Sequence, residues 1–428
     1  SRGHPDQGHL PVGTVRFHGM AYGGAAVGRL EVGAAVFVQG ALEGELAEVD
    51  VVERRKSFAR GRLVQVLEPS AARVEPPCPH FLEGCGGCQW QQASYEAQLA
   101  FKQQILADQL RRGGGIAEPA LLDPIPSPQP FGYRNVAEFH LGIGELGFHR
   151  EGSHELVDVL HCPLMEAPIE AALGVLRTFR KRLPDVSSVH VRAGAEAVQL
   201  VLMCDDDPRG YKLLAPELAA AVEAAVGQPA HVTGVHAGSD RMRGLHLEPW
   251  LHMPLAGRRF RVSGLSFFQV NTAVAETLAE KVVAEVGANE RVLDLYSGVG
   301  TFALLAAETA REVVGVESHH AAIADAAANL AEAGAENARF VHSDVAGVTA
   351  LAAERWDMAI LDPPRAGCPR QVLDALNAER VVYVSCDPST LARDLKILLA
   401  RGFSLRSAQL LDMFPQTYHL ETLAVLTR

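Results

Sequence analysis

The sequence predicts an α/β protein: a doubly wound, mostly parallel sheet at the C-terminal end, preceded by a small β-barrel and a central α+β region. Three observations predict this. From Arg261 onward, short apolar runs ending in acids or turns alternate with helical stretches, the pattern of a parallel sheet covered by helices. Residues 10–67 hold short β-like runs separated by glycine turns, as in small antiparallel barrels. Between them lies a long stretch of mixed strands and helices that starts in a cysteine cluster.

The 428 residues are enough for two or three domains with ample core, and the composition shifts divide them at 1–69, 70–264 and 265–428. A net charge of −12 argues mildly against indiscriminate nucleic-acid binding. It leaves room for a local basic patch. No apolar run reaches membrane-spanning length, and the first thirty residues lack the layout of a signal peptide, so the cytoplasm is the expected compartment.

The barrel strands are read at Val12–Phe17, Ala34–Val38, Glu45–Val52 and Arg62–Leu67. Between the last two, Arg54, Arg55, Lys56, Arg60 and Arg62 surround Phe58 with only Glu53 as a counter-charge. A basic hairpin with an aromatic suits RNA; it equally suits a solvated turn.

Three of the seven cysteines, Cys78, Cys85 and Cys88, fall within one short glycine-rich segment. Such crowding calls for a soft metal or an iron–sulfur cluster. Cys162 is one candidate fourth ligand; zinc with His80 as the fourth ligand is the rival. The spacing is not that of a radical enzyme's cluster, which leaves a structural or RNA-shaping role. Gln91 to Arg112 repeats Tyr95, Leu99, Phe101, Ile105, Leu106 and Leu110 at helical spacing, and Gly113–Gly115 ends it. Pro124–Pro130 should be extended, and residues 131–264 should form the α+β region.

In the C-terminal part, strands are read at Arg291–Leu295, Val313–Glu317, Phe340–Asp344, Met358–Leu361 and Val381–Ser385, with a helix at Thr272–Val286 ahead of them. The first is followed by a glycine turn, Asp294-x-x-x-Gly298-x-Gly300, but position 303 is Ala where a dinucleotide site has its third glycine. Glu317 suits a ribose diol and Asp344 an adenine amino group. Asp362-Pro363-Pro364 resembles the loop of methyltransferases that act on planar bases. Together these point to S-adenosylmethionine. Cys386 ends the fifth strand, where open sheets place ligands. Methylating C5 of a pyrimidine needs a thiolate, because that carbon is barely nucleophilic until C6 is attacked. It also needs a base, for which Glu421 and His419 are the candidates. Methylation of a base amino group through Asp362-Pro363-Pro364 would need no cysteine and is the alternative.

These motifs, with Ser266-Phe-Phe-Gln269-Val-Asn271, Val384-Ser-Cys386-Asp-Pro-Ser-Thr390 and Phe414-Pro-Gln-Thr-Tyr-His-Leu-Glu421, resemble the RNA (uracil-5-)-methyltransferases that use S-adenosylmethionine. The branch with an N-terminal TRAM domain and a [4Fe-4S] cluster, acting on 23S rRNA, is the most similar. The resemblance spans nearly the whole chain. It implies a Rossmann-like methyltransferase domain, a TRAM/OB-like barrel and a central iron–sulfur domain. It implies Cys386 as nucleophile and Glu421 as the base at C5. Cofactor contacts would come from Gln269, Tyr296, Glu317, Asp344 and Asp362, with Asp362 nearest a flipped uracil. Cys78, Cys85, Cys88 and Cys162 would hold the cluster, and residues 93–125 would pack against the catalytic domain. Members acting on tRNA commonly lack both barrel and cluster, so ribosomal RNA is favoured and tRNA is the alternative. No obligate protein partner or membrane is implied, and a monomer is expected.

Overall fold

The computed structural model describes residues 13–31, 33–239 and 241–428. Val12 and the rest of the first twelve residues lie outside the described residues. Among the described residues, no helix is long and apolar enough to cross a membrane.

Strands β1 (Gly13–Met20), β2 (Ala26–Arg29), β3 (Ala35–Gln39), β4 (Leu46–Arg54) and β5 (Phe58–Glu68) close a barrel in the order β1-β2-β3-β5-β4. Alternation places Val15, Phe17, Val36, Val38, Val49 and Ala59 inside. Gly28 and Gly61 also face inward; a Cβ on either would lie 2.3 Å from a valine methyl, on Val15 and Val49 respectively. The sequence suggested four antiparallel strands. Among the described residues there are five, and β3 runs parallel to β5, with Val36 opposite Ala59. A closed ring with an odd number of strands cannot alternate direction all the way round, so one pair must be parallel. The basic run lies at the β4–β5 hairpin, where Arg55 and Arg60 pair with Glu53 and Arg62 with Asp50.

After one helical turn, α1 (Pro79–Leu82), comes α2 (Tyr95–Arg112). Ser94 caps α2 by accepting from the Ala97 N–H. The helix begins later than the periodicity suggested, because Gln91 and Gln92 are buried in the segment leading out of the cysteines. The central sheet has the order β12-β11-β10-β9-β6-β7-β8. Its strands are β6 (Val136–Leu141), β7 (Leu146–His149), β8 (Leu156–Asp158), β9 (Val186–Ala193), β10 (Val198–Cys204), β11 (Ala230–His236) and β12 (Met242–His246). Helices α3 (Ala167–Phe179) and α4 (Ala215–Val226) share a core with it through Leu173, Leu176, Leu218 and Val222. Cys204 is fully buried in that core.

The hairpin β13 (Trp250–Leu255) and β14 (Arg258–Ser263) falls in the region assigned by sequence to the central part. Its alternate residues Leu251, Met253, Phe260 and Val262 instead share a core with α5 (Thr272–Ala284) and the C-terminal sheet. That sheet contains β15 (Arg291–Leu295), β16 (Glu312–Glu317), β17 (Ala338–His342), β18 (Trp356–Leu361), β19 (Ala378–Ser385), β20 (Ser404–Leu411) and β21 (Glu421–Thr427). The order is β17-β16-β15-β18-β19-β21-β20, with β21 antiparallel to both its neighbours. Helices α6 (Thr301–Ala306), α7 (His320–Ala333), α8 (Val345–Ala352), α9 (Arg370–Ala375) and α10 (Pro388–Ala400) complete it. Helix α2 reaches across to this part. Its Leu106 and Leu110 share a core with Leu391 and Leu395 of α10, and the stretch after it pairs Leu121 and Ile125 with β20.

Candidate functional site

The carboxyl ends of the parallel strands gather most of the residues singled out by sequence. Tyr296 follows β15, Glu317 ends β16, Asp344 lies just past β17, Asp362 follows β18 and Cys386 follows β19. Gln269 comes from outside the sheet, on the turn into α5, where its carbonyl accepts from the Asn135 side chain at 2.9 Å.

Cys386 and Glu421 are brought together by strand register. β19 and β21 are antiparallel, and their last pair is Ser385 with Thr422. One step further on each strand stand Cys386 and Glu421. Glu421 is 3% exposed; Cys386 is partly exposed. Burial, followed by the charge of Glu421, pushes the Cys386 thiol up to about 11, while Arg365 pulls it down. Burial, reinforced by Asp362, holds the Glu421 carboxyl well above the usual range. His419, the rival base, is driven the other way: burial, then Arg365, lowers it to about 4. Burial disfavours charge in both, so it makes the carboxylate a stronger base and the imidazole a weaker one.

The Asp362 loop is held beside Cys386 by α10. The Thr390 hydroxyl donates to the Arg365 carbonyl at 3.1 Å, and the Cys368 N–H donates to Asp394 at 2.8 Å. Burial raises Asp362 to about 7. Asp294 is fully buried, and neither of its carboxylate oxygens has a hydrogen-bond partner among the described residues. Burial, then the charge of Asp362, raises its pKa well above the ordinary value. A fully buried acid, Asp294, and a half-buried one, Asp362, at the mouth of a sheet suit a ligand that carries positive charge.

Tyr296 holds a left-handed backbone, φ +65°, at the start of the glycine turn. The ring of Phe340 lies against that turn: a Cβ on Gly300 would sit 2.5 Å from it, and one on Gly315 2.4 Å. The Glu317 carboxylate accepts from the N–H groups of Gly298, Ser318 and His319. Asp344 is exposed and caps α8 through the Gly347 N–H, so its side chain already has a structural task.

Cys78, Cys85, Cys88 and Cys162 line one cavity of about 60 Å³, together with Gln91 and Arg134. Burial raises the thiols of Cys85, Cys88 and Cys162, and the neighbouring Cys78 adds to each. His80 is committed elsewhere: its Nδ1 meets Glu83 at 2.8 Å and its Nε2 accepts from the Leu160 N–H at 3.1 Å. Among the described residues, no three His, Cys, Asp or Glu side chains stand close enough to hold a single ion. Four thiols around one cavity are the donor type an iron–sulfur cluster takes.

Sequence reasoning missed the residues that bind these parts together. Tyr22 of the barrel reaches Asp387. Lys102 of α2 is fully buried against Asp412, at 2.7 Å, and also donates to the Phe414 carbonyl. A lysine at an inward position of an otherwise apolar helix stripe was the available signal for Lys102; for Tyr22 there was none.

Comparison with known proteins agrees with this geometry. Residues 12–64 match the TRAM domain, and residues 251–428 match the tRNA (Uracil-5-)-methyltransferase family. The 23S rRNA (uracil(1939)-C(5))-methyltransferase RlmD of Pseudomonas putida is 36% identical, covering 91% of this chain and 88% of that protein. An RNA methyltransferase of Thermosynechococcus vestitus, itself uncharacterized, is 36% identical over 96% of this chain and 97% of its own. The crystal structure of Pyrococcus abyssi tRNA (uracil-54, C5)-methyltransferase in complex with S-adenosyl-L-homocysteine superposes with a TM-score of 0.76. It is 26% identical and covers 96% of this chain and 99% of that one. With relatives this similar over almost the full length, the chain belongs to the RNA (uracil-5-)-methyltransferase family.

Proposed function

We propose that the protein methylates C5 of a uridine in 23S rRNA, using S-adenosylmethionine. The observation that carries this reading is the placement of Cys386 beside Glu421, one step past the last β19–β21 pair, next to the half-buried Asp362 and the fully buried Asp294. Cys386 adds to C6 as the thiolate, and the electron pair of the ring double bond moves through C5 toward O4. When bound, S-adenosylmethionine supplies an electrophilic methyl group; C5 takes it as the bond to sulfur breaks, leaving S-adenosylhomocysteine. Glu421 then removes the C5 proton, the double bond re-forms, and the Cys386 thiolate leaves. The raised basicity of Glu421 supports this assignment over His419. The thiol of Cys386 enters protonated at neutral pH and gives its proton to water, an ionisation that Arg365 favours.

Gln269, Tyr296, Glu317, Asp344 and Asp362 would hold the cofactor, with Asp362 also facing the uracil. The target base must leave its stack to reach Cys386. The β4–β5 hairpin, where Arg60 lies over the Phe58 ring at 5.9 Å, supplies cations for the phosphate backbone. Cys78, Cys85, Cys88 and Cys162 would hold a [4Fe-4S] cluster that cross-links the segment between barrel and catalytic sheet without redox chemistry. The proposed division is a barrel at 1–69, a central part at 70–264 and a catalytic part at 265–428, with 93–125 and the β13–β14 hairpin of the central part docked on the last. The enzyme would act as a cytoplasmic monomer. The architecture does not choose the RNA, since a tRNA enzyme shares it; identity with the 23S rRNA enzymes at 35–37% favours the ribosome.

Mapping 5-methyluridine in ribosomal and transfer RNA from a strain lacking the protein tests the reading. One 23S site should lose its methyl group. Loss confined to tRNA would overturn the substrate, and no loss anywhere would overturn the function.

A further inference from the structure

We propose that Gln416 is a positioning residue for Glu421, clamped by Gln98 and by the segment that follows Cys88. The inference rests on the role given above to Glu421. Leu411 and Glu421 pair across β20 and β21, so residues 412–420 form the loop of that hairpin and Glu421 sits at its root. Gln416 stands mid-loop, 3% exposed, with φ +70°. A non-glycine residue keeps that backbone only where its surroundings impose it.

The surroundings do so with every polar group Gln416 has. Its carbonyl accepts the N–H groups of Gln89 and Trp90, both at 3.0 Å. Its own N–H donates to Gln98 Oε1 at 2.9 Å, and its Oε1 accepts from Gln98 Nε2 at 3.0 Å. Its Nε2 donates to the Pro130 carbonyl at 3.2 Å. Gln98 is fully buried, and its Nε2 also lies 3.0 Å from the carbonyls of Trp90 and Ala93. The neighbouring Pro415 carbonyl accepts from the Tyr133 hydroxyl at 2.9 Å. One residue of the catalytic hairpin is therefore locked to α2, to the extended stretch before Phe131, and to the two residues immediately after Cys88. Disorder around the cysteines would release two of these bonds and reach Glu421 through the hairpin.

The test uses full-length Gln98→Ala and Gln416→Gly. Glycine keeps the left-handed backbone and removes only the side chain. Each should lower kcat by about 10- to 100-fold, the effect of a small misplacement of a reacting group, with KM for RNA unchanged. Because proton removal is the slowed step, a covalent protein–RNA adduct should accumulate on denaturing gels with unmodified substrate. The double variant should lose no more than the worse single one, since the two side chains act as a unit. Tyr133→Phe, a milder change to the same loop, should show the same pattern to a smaller extent and serves if Gln98→Ala does not fold. An unchanged kcat, or a raised KM without adduct, would overturn the inference. A wild-type protein that leaves RNA unmethylated would overturn the function beneath it as well.

Discussion

The hydroxyl of Tyr22 donates to the carboxylate of Asp387 at 3.1 Å, across 365 positions of sequence. Asp387 adjoins Cys386, and its other oxygen accepts the N–H groups of Ser389 and Thr390 to cap α10. Nearby, the Tyr22 ring meets Tyr418 edge-on at 5.5 Å, and Trp90 Nε1 donates to the Gly24 carbonyl at 3.0 Å. The barrel is thus fastened to the turn that carries the thiol.

Tyr22→Phe should therefore act on catalysis without unfolding the barrel. A hydrogen bond to a charged group contributes about 1.5–3 kcal/mol; losing part of it from the Cys386 turn should lower kcat/KM by roughly tenfold. Steady-state kinetics alongside a thermal melt would check this, and wild-type kinetics would show that the contact is only mechanical support.

The charge of Glu421 is one of the causes that raise the Cys386 thiol to about 11. Removing that charge in Glu421→Gln should move the midpoint of the thiol to lower pH. Following iodoacetamide labelling of the Cys386 peptide by mass spectrometry across pH reads the midpoint directly. The same variant should trap the RNA adduct, whereas Cys386→Ala should form none. An unmoved midpoint would separate the two side chains electrostatically and argue against their pairing.

Asp362 gives a second pH dependence. Burial raises it to about 7, against about 3.9 in an unfolded chain. Its protonated form favours folding, so this contribution is full below the unfolded value and is lost as pH rises through about 7. A cationic ligand beside it favours the carboxylate and lowers its pKa. S-adenosylmethionine should then bind with release of a proton below pH of about 7. Calorimetry in two buffers of different ionisation enthalpy would detect it; equal heats in both would exclude it.

Lys102→Met should be among the most damaging changes outside the chemistry. It strands the Asp412 carboxylate with no cation in the interior, where breaking a buried pair costs about 3–5 kcal/mol. Urea unfolding should show the loss; a change under about 1 kcal/mol would mean that water reaches Asp412.

Anaerobic purification should yield the iron and sulfide of a [4Fe-4S] cluster, and Cys85→Ser should lose both together with the visible absorbance. Stoichiometric zinc in place of iron would overturn the cluster.

Much of the C-terminal sheet was legible because local signals agree there. The apolar runs ending at Glu317, Leu361 and Ser385 are strands whose ends coincide with chemistry. Cys386 and Glu421 could be suspected from residue type, because C5 methylation needs a thiolate and a base. Their adjacency could not, since it depends on β21 inserting between β19 and β20. The barrel was legible as strands but not as a closure: β2 is four residues long, and the β3–β5 pair skips over β4. The hairpin at Trp250–Ser263 reads the same whichever sheet it packs on, so its allegiance to the catalytic core was invisible. Gln98 and Gln416 are ordinary glutamines until folding places them face to face.

The fastenings of the site share a property that bears on how the molecule comes to be folded. Tyr22–Asp387, Gln98–Gln416 and Lys102–Asp412 join positions 365, 318 and 310 residues apart. Contacts between such distant positions must first close very long loops, and they slow folding relative to local ones. Helices and hairpins can therefore be in place while the hairpin bearing Glu421 is still unclamped. During refolding, recovery of methyl transfer should lag behind recovery of secondary structure. The thiol would acquire its chemistry only when the two halves of the chain have met.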